Sequence, residues 1–174
     1  MSKRRFTRRV ATAAVCAFAL TVAASTADAK KVRWKMHAAF GQAVAVLGPV
    51  SGRITGMVRD MSDGDFDIKV FEPGALAGGY AYYDPISQGA FEAAYGTPGA
   101  HQGKNPVYAF LTTWPFGPGA LEFNAWLQHG GGIEFARKLY SEDNIQYFYC
   151  AMISPETSGW FREPIKSLAQ LKGL

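Results

Sequence analysis

Strands and helices alternate in the pattern of apolar and polar positions along this chain. Residues 32–39 form the first strand candidate. Between Val44 and Met61, apolar residues recur at the three- and four-residue spacing of a helix, which predicts an amphipathic helix of about five turns. The apolar stripe of this helix consists of Val44, Leu47, Val50, Ile54, Val58 and Met61.

Shorter elements follow this helix. Residues 66–70 alternate apolar and charged side chains, as a half-buried strand does. The pair Asp84-Pro85 predicts the start of a short helix, because an aspartate caps free amides and a proline at the first helical position wastes no donor. Gly89 is expected to close this helix, and residues 91–96 form a third strand candidate.

The last third of the chain is predicted to contain two helices and a buried strand. Apolar residues fall on one helical face in 120–127 and on another in 133–140, with three glycines between them. Residues 147–153 form an apolar run long enough for a buried strand. Cys150 lies in this run and is expected to behave as a small buried hydrophobe rather than as a nucleophile.

The order β-α-β-α-β with short connections predicts the α/β class, with a mostly parallel sheet flanked by helices. Ligands bind beyond the carboxyl ends of the strands in open sheets of this kind. Aromatic residues are concentrated at these positions, which indicates a small-molecule cleft. They are Phe40, Tyr80, Tyr82, Tyr83 and Tyr95. The alternative is that Tyr95, Trp114 and Trp160 are simply packing residues.

The net charge of +4 arises from the N-terminus. Residues 1–9 are rich in Lys and Arg, residues 10–24 carry no charge, and residues 27–29 (Ala-Asp-Ala) form the small-x-small pattern that a signal peptidase accepts. We therefore expect residues 1–29 to be a secretory signal removed before Lys30, with periplasmic export by either the Sec or the twin-arginine route. The uncharged run is too short to span a membrane comfortably.

The composition of residues 30–174, the chain after the expected signal segment, disfavours several function classes. Residues 30–174 carry no net charge, so nothing favours nucleic acid, which needs Lys and Arg gathered on one surface. A single cysteine remains after Lys30, and the three histidines show no metal-ligand spacing. We therefore expect no catalytic residue and no metal ligand. A secreted hydrolase using Ser158 or His101 is the alternative of another class, although Ser158 lacks the first glycine of a nucleophile elbow.

Four groups of residues carry a resemblance to a known family. They are 69–74 (KVFEPG), 95–99 (YGTPG) with 103–106 (GKNP), 115–118 (PFGP), and the motifs of 155–174, which include GWFR at 159–162 and LKGL at 171–174. Their order resembles the extracytoplasmic solute-binding proteins of TRAP transporters, in the dicarboxylate-receptor class and closest to the 2-oxo acid binders. The match covers nearly all of residues 32–174.

The resemblance implies a fold and a function. Residues 30–174 would form the N-terminal lobe, in part, of a periplasmic-binding-protein-like fold, because family members are much longer and have two lobes. The implied function is a periplasmic receptor that delivers a small organic carboxylate to the membrane subunits of a TRAP transporter, and it is not an enzyme. The alternative is a non-binding fragment or one half of a split receptor, with self-association through an exposed lobe face.

The resemblance also implies binding residues. Phe40 and Gly41 would lie at the loop after the first strand, and Tyr95 and Thr97 at the loop after the third. Two further residues, Glu156 and Trp160, would lie near the site of a carboxylate-binding arginine that the family carries in a later segment, and Phe116 would pack nearby. A cation can bridge ligand and protein in the 2-oxo acid binders, but no residue of this sequence is assigned to it and no cofactor is expected.

Overall fold

A parallel three-stranded sheet organises the first half of the molecule. The structure is a computed structural model, and it describes residues 30–114, 116–153 and 159–173. The strands are β1 (Val32–Ala38), β2 (Phe66–Phe71) and β3 (Ala93–Tyr95), in the spatial order β2-β1-β3. Both pairs are parallel, so the predicted parallel sheet is confirmed and all three carboxyl ends lie at one edge.

Five α-helices accompany this sheet in the part of the chain that the structure describes. They are α1 (Leu47–Met61), α2 (Tyr83–Ser87), α3 (Val107–Phe110), α4 (Ala120–His129) and α5 (Gly132–Ser141), with 3-10 turns at Pro98–His101 and Leu168–Leu171. The two predicted helices at 120–127 and 133–140 are confirmed. Helix α3 has four residues, which is too few to show a period in the sequence. None of the described helices is long and apolar enough to cross a membrane.

The most buried residues of helix α1 are small, although Val50 and Val58 of its aliphatic stripe also pack against the core. Gly48, Ser51 and Thr55 are its buried residues, whereas Met61 is 77% exposed. The helix begins at Leu47 and is shorter than predicted, because the chain before it forms turns in which the Val44 amide donates to the Gly41 carbonyl at 2.9 Å. Two backbones that approach closely leave room only for small side chains. The pattern of apolar positions does not indicate such an approach.

The core consists of two clusters, and one of them is rich in tyrosine. The first cluster, formed by Met36, Ile68 and Tyr95, lies between the sheet and α1. The second joins α2, α3 and α5 and consists of Tyr83, Tyr108, Leu111, Ala136 and Tyr140. Two of its hydroxyl groups are hydrogen-bonded, because those of Tyr83 and Tyr108 bond to each other and the Tyr83 hydroxyl donates to a carboxylate oxygen of Asp143 at 2.6 Å.

The predicted strand at 147–153 is wrong. Its described residues have no regular secondary structure, Phe148 is 68% exposed, and Cys150 is an exposed free thiol rather than a buried one. An apolar run predicts burial, but a strand also needs a hydrogen-bonded neighbour, and this run pairs with none of the three strands of the sheet. The beginning of the run is anchored through Tyr147, which packs on the tyrosine cluster.

The predicted capping role of Asp84 is also wrong. Tyr82 occupies the position before α2, and no side chain caps the helix. The Asp84 carboxylate instead pairs with the Lys104 ammonium, whose nitrogen lies 2.6 and 2.8 Å from its two oxygens. Gly89 does follow the helix, with a φ of 74° that suits glycine.

Candidate functional site

Three aromatic side chains meet beyond the carboxyl ends of the strands. The Phe40 ring lies 5.9 Å from Tyr95 and 6.0 Å from Tyr80, both edge to face. The main chain fixes this arrangement, since the Ala39 amide donates to the Tyr95 carbonyl at 2.8 Å directly after β1. Tyr95 is buried, Phe40 is half-buried and Tyr80 is 50% exposed, so the group has a packed base and an open rim.

The loop after the central strand is held from both sides. On the β2 side, the Glu72 carboxylate accepts from the Gln42 amide at 3.2 and 3.3 Å. On the α1 side, the Gln42 side chain donates to the Ser51 hydroxyl at 2.9 Å. A side chain at Gly48 would overlap the carbonyl of Gly41, so helix and loop are in direct backbone contact. The loop that carries Phe40 and Gly41 is therefore rigidly placed.

The loop after β3 is shaped by Tyr82. A Cβ atom at Gly96 would overlap the Tyr82 hydroxyl, which donates to the Thr97 carbonyl at 3.5 Å. The Thr97 hydroxyl lies 3.4 Å from that of Thr112, and the Gly99 amide donates to the Thr112 hydroxyl at 2.6 Å. Burial raises the pKa of Tyr82 far above its ordinary value, so this phenol stays neutral.

A buried histidine lies beneath this edge, and the sequence pattern did not identify it as a site residue. His37, on β1, is fully buried between the rings of Tyr82 and Phe91, at 5.4 and 5.9 Å. Its Nε2 lies 2.7 Å from the Gly79 carbonyl oxygen. A carbonyl only accepts, so Nε2 carries the proton, and Nδ1 has no partner among the described residues. This bond ties the loop bearing Tyr80 to the central strand.

A small cavity, here called the α2 cavity, opens beside the aromatic group. Its volume is about 240 Å³, and its walls include Tyr80, Tyr83, Ala100, His101 and the Asp84–Lys104 ion pair. His101 is 4% exposed, and its ring lies edge to face against Tyr82 at 4.7 Å. Desolvation, followed by the neighbouring charge of Lys104, lowers the pKa of His101 to about 4, so the ring is neutral at physiological pH.

The structure brings together four of the seven predicted binding residues. Phe40, Gly41, Tyr95 and Thr97 lie at the carboxyl edge of the sheet, as the strand order requires. Three residues are not part of this group. Phe116 is fully exposed, so the packing predicted for it is wrong. Trp160 is 92% exposed. Glu156 lies outside the described residues.

Sequence reasoning did not assign Glu72 and Gln42 to the site, although Glu72 belongs to the KVFEPG motif. The motif placed this glutamate after a strand, and only the parallel register shows that the end of β2 adjoins the loop of β1. Within 30–114, 116–153 and 159–173, no group of three or more His, Cys, Asp or Glu could hold a metal ion.

Comparison with known proteins gives consistent matches. The family model DctP, described as bacterial extracellular solute-binding protein, family 7, matches residues 53–174. A curated monocarboxylate 2-oxoacid-binding periplasmic protein from Nostoc sp. is 34% identical over 145 residues. The alignment covers 82% of this chain and 39% of that protein. The chain thus spans about two fifths of the length of this relative.

Solved structures share the fold. A TRAP transporter solute-binding protein from Bordetella bronchiseptica, with calcium and picolinate bound, superimposes with a TM-score of 0.76 at 32% identity, over 83% of this chain and 43% of that one. A TRAP periplasmic solute-binding protein from Colwellia psychrerythraea, with calcium and pyruvate, has a TM-score of 0.73 at 30% identity, with coverage of 83% and 44%. One from Pseudoalteromonas atlantica, with sodium and pyruvate, gives the same values.

Proposed function

Because this chain belongs to family 7 of the bacterial extracellular solute-binding proteins, as its motifs predicted, we propose that it takes part in capturing a small organic carboxylate of the 2-oxo acid type in the periplasm. The captured solute would pass to the membrane subunits of a TRAP transporter. One observation carries the proposal: the loops after all three parallel strands meet at one edge, where Phe40, Gly41, Tyr95 and Thr97 lie together.

The geometry of this edge suits a small planar ligand. Phe40 and Tyr80 offer aromatic surface that can cover an apolar methyl or methylene group and exclude water from it. Glu72 and Ser51 fix the loop in advance, so binding does not have to order it. The residues proposed to face the ligand are Phe40, Gly41, Tyr95 and Thr97. Phe116, Glu156 and Trp160 remain candidates by resemblance alone.

A bridging cation is not part of the proposal for the described residues. Two relatives hold calcium and a third holds sodium beside their ligands. The described part of this chain offers no cluster of three potential ligands, and the Glu72 carboxylate already accepts from the Gln42 amide. For the described residues, the proposed binding step uses aromatic contact and the preformed loop geometry.

The relatives are described as binding proteins, which favours a receptor role over catalysis. Of the residues considered for a hydrolase, His101 is enclosed by tyrosine rings, which does not suit a general base. Ser158 lies outside the described residues.

Ligand-observed NMR of the purified chain, with sodium and with calcium in the buffer, tests the proposal. We expect pyruvate to bind and propionate, which lacks the 2-oxo group, to bind at least about tenfold more weakly. Phe40→Leu should weaken pyruvate binding by roughly tenfold, since it removes the ring at the rim. The matched control is Phe135→Leu, a change at a partly exposed ring on α5. Absence of pyruvate binding, or equal binding of propionate, would contradict the proposal.

We also propose that residues 1–29 direct export and are removed before Lys30. The support is the sequence pattern of that segment together with the extracytoplasmic family. Mass spectrometry of periplasmic protein should find Lys30 at the N-terminus. Replacing both Arg8 and Arg9 by lysine should block export only if the twin-arginine route is used. An intact Met1 on membrane-bound protein would contradict cleavage.

A further inference from the structure

The loop that carries Tyr80 is attached to the rest of the molecule at few points. It comprises residues 73–81, lies between β2 and α2 and contains no buried residue. Among the described residues, each hydrogen bond donated by an amide of this loop spans three positions. These bonds run from Gly74 to Ala77, from Ala75 to Glu72 and from Ala81 to Gly78. They shape the loop, but they do not fix it against the sheet.

In the described part of the chain, one hydrogen bond connects this loop to the sheet. The Nε2 atom of His37, on β1, donates to the Gly79 carbonyl at 2.7 Å, across 42 positions of the sequence. Gly79 has a φ of 29°, although a Cβ atom there would meet nothing within 4 Å. The backbone conformation, and not the space, therefore favours glycine at the residue that offers this carbonyl to β1.

The donor in this bond is held firmly. The His37 ring is fully buried and lies between the rings of Tyr82 and Phe91, at 5.4 and 5.9 Å. A buried donor that loses its acceptor costs free energy. The arrangement of ring and loop that keeps the bond to Gly79 is therefore favoured.

Both rings at the rim of the proposed site are positioned from β1. Phe40 follows His37 by three residues in the chain, and Tyr80 directly follows the bonded Gly79. The rings of Phe40 and Tyr80 lie 6.0 Å apart, edge to face. Because Tyr80 is 50% exposed, it has little packing of its own to hold it there. The position of its ring against Phe40 thus depends on the bond from His37.

We infer that His37 is a positioning residue of the proposed site: its bond to Gly79 holds the 73–81 loop so that Tyr80 lies beside Phe40 before a ligand arrives. The inference rests on the proposed function, because it takes this pair of rings as a surface that the ligand contacts. His37 is enclosed and acts only through the main chain at Gly79. A substitution that keeps an N–H donor at this point should therefore keep the site.

Two substitutions of His37 test this role by pyruvate titration of the whole purified chain. His37→Leu removes the donor but keeps an apolar side chain of similar size, and it should weaken pyruvate binding roughly tenfold. His37→Gln retains an N–H donor at a reach similar to that of Nε2, and its affinity should stay within about threefold of the unmodified chain. The matched control is His129→Leu, at an exposed position of α4, which should leave the affinity unchanged.

The two rings provide a readout that needs no ligand. Nuclear Overhauser contacts between Tyr80 and Phe40 should be present in the unmodified chain and in His37→Gln, and lost in His37→Leu. Contacts between Tyr108 and Tyr140, whose rings lie 4.8 Å apart in the tyrosine cluster, should persist in all three chains and show that each is folded.

A measurement on the unmodified chain covers the case in which His37→Leu does not fold. Nitrogen-15 correlation spectra of the imidazole should show a proton on Nε2 of His37 and none on Nδ1, as donation to the Gly79 carbonyl requires. A proton on Nδ1 alone would exclude the donated bond and overturn the inference.

The outcomes separate the two proposals. If pyruvate does not bind the unmodified chain, the proposed function fails and the positioning role fails with it. If pyruvate binds and His37→Leu keeps its affinity, the positioning role is overturned while the proposed function stands. The same holds if His37→Gln loses as much affinity as His37→Leu, because the donor would then not be what matters.

Discussion

Gly96 is required by the side chain that packs against it. Gly96→Ala should destabilise the fold by about 1–3 kcal/mol, because the new methyl group displaces the Tyr82 hydroxyl and strains the loop after β3. Chemical denaturation measures the loss. Gly78→Ala is the matched control, since a Cβ there meets nothing within 4 Å. Combining Gly96→Ala with Tyr82→Ala, which removes the overlapping hydroxyl and ring carbons, should cost less stability than the sum of the two single changes. A strictly additive double variant would contradict this explanation.

His101 makes stability depend on pH in the acidic range. Its pKa falls from an ordinary value of 6.5 to about 4 in the folded state, so the unfolded chain binds the proton first as the pH falls. The stability supplied by the neutral ring is complete above about pH 6.5 and is lost progressively down to about pH 4. The loss should be on the order of 1 kcal/mol for each pH unit.

Urea denaturation at a series of pH values checks this dependence. His101→Gln should flatten the dependence between pH 4 and 6.5, the two ends of the interval set by this ring. His129→Gln, which changes an exposed histidine on α4, should leave it as it is in the unmodified chain. Equal slopes in both variants would show that another group is responsible.

At the residue scale, the sequence predicts the positions of ligand-facing groups better than their supports. Phe40 and Tyr95 follow strands, and strand ends can be recognised from alternation. The bond from Gln42 to Glu72 joins residues that are 30 positions apart, and nothing local indicates it. The exposure of Phe116 could not be predicted either, because an aromatic side chain in a proline-glycine turn favours packing only if another element covers that turn.

Among the elements, α1 offers a comparison of two glycines on one helix. Gly48→Ala should destabilise the chain by about 1–3 kcal/mol, because a Cβ atom would overlap the backbone of the loop after β1. Gly56→Ala, where a Cβ atom meets nothing within 4 Å, should stabilise it by about 0.5–1 kcal/mol through helix propensity. Thermal melts of the two variants should therefore shift in opposite directions, and shifts of the same sign would contradict the close packing.

The elements differ in how well the sequence predicts them. The alternation of residues 66–70 and the turn chemistry around Gly89 are local signals, and both predictions hold within a few residues. The run at 147–153 shows what the apolar pattern leaves undecided, since strand formation depends on a partner elsewhere in the chain. The burial of α1 through Gly48 and Ser51 depends in the same way on how closely a distant loop approaches.

The molecule as a whole exposes many large apolar side chains in its described part. Six of them are more than 75% exposed: Val46, Met61, Phe116, Leu121, Trp160 and Leu168. Exposed apolar surface promotes association, so we expect the purified chain to bind a hydrophobic dye and to self-associate with increasing concentration. Sedimentation velocity checks this, and Trp160→Ser should shift the distribution towards the monomer. A monomer at every concentration, without dye binding, would contradict the expectation.

The parallel direction of the strands follows from the β-α-β-α-β pattern, whereas their order β2-β1-β3 was not predicted. The motifs of residues 69–174 predicted the family that the comparisons show. What the sequence could not predict is which side chains share the edge of the sheet, since that depends on the register between strands.

A backbone amide NMR titration of the chain with pyruvate tests most directly whether a 2-oxo acid binds beyond the carboxyl ends of the three strands. We expect the largest chemical-shift changes at Gly41, Gln42, Gly96 and Thr97, in the loops that meet at this edge. Binding of pyruvate with its largest changes on α4 and α5, and none at these loops, would contradict this expectation.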